Sequence, residues 1–375
     1  MSSTARSTDR SYRSAFGFLR LLFASLVIVS HAPEMVDGNR SREPLTELFG
    51  TISFGDVAVD GFFLISGYLI VGSYLNRANV VAYLRKRVAR IYPGFLVATA
   101  ISFLIVAPLG GGSLSWIAHN LDAILLRALL LQAPAAPGVF PGQSHPDIDG
   151  AMWTIAYEFR CYLLVVILGS LGFFRRAWPA AILASIALTA FEVIPAQTFR
   201  HIEDTVFLWP IWFGDTDQTL RFTGIFLMGV FAFLIRERIR YTHAGLAVAA
   251  VLVIASMFVR SLAEPAIATC GAYIIFATAR WGGNNWLQQV NNRTDISYGV
   301  YLYAWPTTQL LIRYCPSWPP AVQGVVTLFA ASVCGWLSWK YVERPVIAYA
   351  SRCSAKGEMP IERVSEPAAV FEPAA

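Results

Sequence analysis

The chain of 375 residues is 56% hydrophobic and only 14% charged, with a mean hydropathy of +0.52. Soluble domains carry about 25% charged residues, so a soluble enzyme is excluded and an all-α, polytopic membrane helix bundle is expected. The net charge of +5 need not mean nucleic acid, because the basic residues sort by side of the membrane, as set out below.

Residues 1–13 form a basic cytoplasmic segment with Arg6, Arg10 and Arg13. The apolar run that follows resembles a signal peptide, but it ends in His-Ala-Pro without a small-residue cleavage site and reads as a retained first helix. Runs long enough to span fall near 16–33, 56–75, 91–109, 151–171, 177–194, 219–235, 244–260, 264–280, 296–314 and 321–342. The segment 114–132 contains His119, Asn120, Asp122 and Arg127 and reads as amphipathic or re-entrant. With about ten transmembrane helices and cytoplasmic N- and C-termini, most of the 29 Lys and Arg fall inside, leaving Arg40, Arg42, Arg127, Arg200, Arg260 and Arg313 outside. Residues 14–349 then form one transmembrane domain, and 350–375 a disordered tail rich in Glu, Pro and Ala. The five cysteines are scattered without a CxxC pair, so neither a disulfide framework nor a metal site is indicated.

Polar residues within apolar spans mark function or a buried pair. In LRLLFASLVIVSHA, residues 19–32, Arg20 and His31 share one face of a helix, about 16 Å apart along its axis. Asp60 lies in VDGFFLISGYLI and Glu158 in MWTIAYEFRCY. With His31 they form a candidate outer cluster of one base and two carboxylates, against the plainer reading of an ion-pair network between helices. The short stretch RANVVAYLRKRVARIYP runs between two spans at the cytoplasmic surface, and Pro93 starts the next helix. Arg87 and Arg90 are one turn apart and can face the same way. They suit phosphates, or anchor the chain on anionic lipid. Ser297, Tyr301 and Trp305 share a face in DISYGVYLYAWP, and Glu343 in YVERP, beside Arg344 at the inner surface, is either a surface ion pair or a functional carboxylate.

Together these segments resemble the acyltransferase-3 family of membrane proteins over residues 14 to 345. The matching pieces are Arg20 with His31; Asp60, Phe62, Phe63, Ser66 and Gly67; Arg87, Arg90, Ile91 and Pro93; Trp153, Glu158 and Tyr162; Ser297, Tyr298, Tyr301, Leu302 and Pro306; and Glu343 with Pro345. Ala304 stands where the family commonly has His, Cys161 where an aromatic is usual, and Gly61 where Leu is usual.

The resemblance implies a membrane O-acyltransferase of the bacterial inner membrane. It implies acyl-CoA (acetyl-CoA by family habit) as co-substrate and a glycan or glycolipid as acceptor. Arg20, Arg87 and Arg90 would hold the donor. His31 would act as general base or as an acylated relay, with Glu158 or Asp60 orienting its ring. Trp153, Ser297 and Tyr301 would meet substrate. The outer loops 133–150 and 195–218 would choose the acceptor, through Trp209 and Trp212 or through Asp147, Asp149, Asp215 and Asp217. The competing class is a flippase or transporter of a lipid-linked glycan; an inactive scaffold is a third.

Overall fold

A computed structural model describes residues 14–76, 79–206, 209, 213–282 and 285–357. Every regular element among the described residues is helical. The first is α1, Phe16–Asp37, which runs unbroken through Pro33 and stops at Gly38 in the left-handed region, φ 73°, where the Gly38 N–H donates to the Glu34 carbonyl. After the short α2, Pro44–Phe49, comes α3, Phe54–Leu75, started by a reciprocal capping box between Ser53 and Asp56. α4, Val80–Ile101, continues through a π-helical turn to Leu109.

α4 corrects the sequence reading. Pro93 does not start the helix: it begins at Val80 and carries Arg87 and Arg90 on its own surface, with Pro93 inside it. A proline deletes one backbone bond, a loss that close helix packing tolerates in apolar surroundings. The doubtful segment breaks at Asn120 into α5, Leu114–His119, and α6, Leu121–Leu129, each far shorter than a span.

The remaining helices are α7 Thr154–Ser170, α8 Trp178–Val193, α9 Ala196–Thr205, α10 Thr216–Leu234, α11 His243–Ser256, α12 Arg260–Gly282, α13 Ser297–Tyr314, α14 Pro320–Ser338 and α15 Arg344–Gly357. Each of the ten apolar runs falls on a helix. Five helices among the described residues are long and apolar enough to cross a membrane by themselves: α1, α3, Val80–Leu109, α12 and Pro320–Cys353. The pair α8 and α9, bent by 101°, makes up to six. The segment from residue 350, read as a disordered tail, begins inside α15, which runs to Gly357.

Glycines set the closest crossings. A Cβ on Gly67 of α3 would lie 2.0 Å from the Phe226 carbonyl oxygen, and one on Gly229 of α10 2.2 Å from that of Leu64. Small residues let two backbones touch where no water drives helices together. α13 and α14 meet the same way, with a Gly299 Cβ placed 2.5 Å from Gly335 Cα. Gly61 has its reason too: a side chain there would run into the Phe23 ring at 2.4 Å. α1 packs against α3, α13 and α14.

Candidate active site

A cavity of about 140 Å³ lies between α1, α3, α4, α7 and α13. Arg20, Arg87 and Arg90 line one end, Glu158 the middle, and Ser297 and Tyr301 the α13 wall. The three arginines are held differently. Arg90 donates to Asp295 at 2.6 Å and pairs with Glu343 at 3.5 Å. Arg20 shares Asp295 at 3.2 Å. Arg87 reaches Ser73 only at 3.5 Å, and its guanidinium lies 5.8 Å from the Tyr83 ring and 5.9 Å from the Tyr162 ring.

Asp295 is the hub of this end. It accepts from Asn291 and Ser297 as well as from the arginines. Burial acts to raise its carboxyl, but Arg90 and Arg20 outweigh burial and hold it well below the usual carboxylate range. Glu343 is fully buried, accepts from Ser338 at 3.0 Å and faces Arg90; the expected surface pair with Arg344 is replaced by a buried one. Glu158 accepts from Tyr162 at 2.5 Å and Ser66 at 3.0 Å. Tyr301 exchanges a bond with Thr154 and donates to the Ala151 carbonyl, both at 2.6 Å.

One turn beyond Tyr301 on α13, Trp305 meets the His31 ring edge-on, centroids 5.2 Å apart. His31 therefore stands just past the end of the cavity opposite the arginines. Its Nδ1 bonds Glu34 Oε2 at 3.0 Å, and Glu34 Oε1 accepts from Arg40 Nε at 2.9 Å. Arg40 continues to Asp56 at 3.2 Å. Trp305 also packs edge-on against a second imidazole, His145, at 6.0 Å.

A model of the acyltransferase domain matches residues 13–340. The chain belongs to the acyltransferase-3 family. The acyltransferase is 25% identical to "O-acetyl transferase" of Shigella phage Sf6, over 90% of this chain and 97% of that protein. It is 28% identical to "Nodulation protein 10" of Rhizobium leguminosarum bv. viciae, over 90% of this chain and 94% of the other. It is 25% identical to "Acyltransferase MdmB" of Streptomyces mycarofaciens, over 82% and 84%. No solved structure gives a significant match.

The structure of the acyltransferase divides the expected cluster of His31, Asp60 and Glu158. The partner of His31 is Glu34, one helical turn on and missed by the sequence reading. Asp60 is fully buried and accepts from Arg221 of α10 at 2.9 Å, so it does not orient the imidazole. Arg221 also binds Glu264 at 2.8 Å and Asp56 at 3.6 Å. Glu158 belongs to the cavity, not to His31. Arg20, Arg87, Arg90, Ser297 and Tyr301 do converge on one space, as their motifs suggested. Trp153 packs on Tyr157 and Phe222 outside that wall.

Among the loop residues, Trp209 donates to Thr216 and packs at a tilt against Phe213, while Trp212 lies outside the described residues. Asp149 is buried, and burial pushes its carboxyl well above the usual range, so it is not a solvated acid open to a sugar.

Proposed function

We propose that this acyltransferase is a ten-span enzyme of the bacterial inner membrane with both termini cytoplasmic. It moves an acyl group, most simply acetyl, from acyl-coenzyme A to a hydroxyl of a sugar in a cell-surface or secreted glycan. The observation that carries the reading is the single cavity that joins three arginines at one end to the Tyr301 wall, one helical turn short of His31.

Coenzyme A is anionic at its nucleotide end and long and thin beyond it. Arg87 is the guanidinium with the fewest protein partners at the arginine end and takes the phosphates. Arg20 and Arg90, fixed by Asp295, set the positive field around it. The pantetheine arm lies past Glu158, whose carboxylate accepts from its amides, and brings the thioester to His31. With Nδ1–H donating to Glu34, Nε2 keeps its lone pair and takes the proton of the sugar hydroxyl. The oxygen attacks the thioester carbonyl, the carbon–sulfur bond breaks, and the imidazolium returns its proton to the departing thiolate. Glu34 is a positioning residue in this scheme, as a carboxylate is in a catalytic triad.

The test is thiol release from acetyl-coenzyme A by the purified, detergent-solubilised protein, with His31→Ala and Arg87→Ala beside wild type. The expected result is slow release by wild type, none by His31→Ala, and release by Arg87→Ala only at high donor. Folded wild type that neither binds nor turns over any acyl-coenzyme A would move the assignment to a glycan transporter. Substantial activity in His31→Ala would remove the histidine from the chemistry.

A further inference from the structure

A second cavity, of about 450 Å³, opens at the His31 end of the bundle. It lies among the first turns of α3, α10 and α12 and the bend between α8 and α9. Its wall mixes charge, with Arg40, Arg221 and Arg260 set among Asp56, Glu192, Asp217 and Glu264. Phe191 and Phe199 add apolar surface.

Three polar atoms of the lining residues are buried without a hydrogen-bond partner: Gln218 Oε1, Arg221 Nε and Glu264 Oε2. Arg221 itself is only 6% exposed. Buried polar atoms are nearly always satisfied in native proteins, so three on one cavity wall point to a ligand that supplies partners.

The wall also selects the chemistry of that ligand. A phosphate would meet carboxylates, an ammonium would meet guanidiniums, and an acyl chain would leave both kinds of charge desolvated. A hydroxyl both donates and accepts. Neighbouring hydroxyls on one ring can thus give to a carboxylate and receive from the guanidinium beside it, while the ring's C–H face lies on phenylalanine. The cavity is joined to the base as well: Arg40 in its wall donates to Glu34 at 2.9 Å, and Glu34 holds His31 at 3.0 Å.

We propose that this second cavity is the acceptor subsite and binds a neutral, hydroxyl-rich pyranoside unit next to the sugar that receives the acyl group. The assignment rests on the acyl-transfer reading above, and the experiment separates the two.

Binding of the methyl α-pyranosides of glucose, galactose, mannose and rhamnose is measured by thermal shift on the full-length protein in detergent. Wild type is compared with Gln218→Ala and the near-isosteric Glu192→Gln. The expected result is saturable binding of at least one glycoside to wild type, weakened about tenfold or more in each folded variant, since each loses a polar contact. Failure of all four to bind wild type overturns the subsite, and so does equal binding to wild type and Glu192→Gln. Thiol release from acetyl-coenzyme A is read on the same samples. Glycoside binding without thiol release overturns the donor reading and leaves the cavity as a sugar site; thiol release without glycoside binding overturns the subsite alone.

Discussion

Glu34→Ala removes the carboxylate that holds His31 Nδ1 at 3.0 Å. A hydrogen bond to a charged group contributes about 1.5–3 kcal/mol. Each ~1.4 kcal/mol of barrier is a factor of ten, so kcat falls about 10- to 150-fold if the contact strengthens as His31 takes up its proton. The surroundings keep their place. Arg40 retains Asp56 at 3.2 Å, and the arginine end of the cavity lies at the opposite end of α1. The KM for acetyl-coenzyme A therefore stays within about twofold, an interaction confined to the transition state being lost. Glu34→Gln keeps an acceptor oxygen but not the charge and falls between wild type and Glu34→Ala. The assay is thiol release over a range of donor concentrations, after the melting temperature shows the variants folded. A kcat within twofold of wild type, or a loss confined to KM, refutes the assignment of Glu34 as the residue that positions the base.

The two donor-end arginines separate by their partners. Arg87→Ala raises the donor KM about tenfold or more while the melting temperature nearly holds, because only a 3.5 Å contact to Ser73 and two long contacts to the Tyr83 and Tyr162 rings are lost. Arg90→Ala strips the buried Glu343 and Asp295 of a cation and destabilises the protein by about 3–5 kcal/mol, read as a lower melting temperature. Gly67→Val drives a side chain into the Phe226 carbonyl and abolishes the α3–α10 crossing, so monodisperse protein is not recovered by size-exclusion chromatography. Asp295, with a depressed folded-state pKa, contributes stability above its unfolded value near ~4, and that contribution fades as pH falls through the lower folded value. The melting temperature of Asp295→Asn thus lies below wild type at pH 7, and the gap narrows only at strongly acidic pH; a gap that does not change with pH would refute this.

What could be read in advance was what one helix holds together. Arg20 and His31 lie on α1, Arg87 and Arg90 on α4, and Ser297 and Tyr301 on α13, so periodicity alone put each pair on a common face. Pairings across the chain were another matter. Glu343 was matched to Arg344 because they adjoin in sequence, whereas the buried partner is Arg90 on α4. Asp60 was matched to His31 because both sit near the same end of apolar runs, yet Arg221, from a helix far along the chain, claims it. Asp295 was overlooked because it precedes an apolar run instead of interrupting one. Glu34 did carry a local signal, three residues after His31 and so on its face of the helix. Pro33 between them suggested that the helix had ended, but α1 continues to Asp37.

That continuity bears on which activated acyl compounds the enzyme can use. On the proposed reading, a rigid rod that carries Arg20, one of the three clustered guanidiniums, near one end and the imidazole about 16 Å along it rejects any molecule whose phosphate and acyl carbon are close neighbours. Acetyl phosphate, as energetic as a thioester, can fill one end or the other but never both. A nucleotide thioester fills both, because its flexible arm separates charge from acyl group. If the proposed donor holds, discrimination among donors would be written into the length of α1 and not into a pocket for the acyl group, and longer acyl chains would be accepted without a change in how their carrier is recognised.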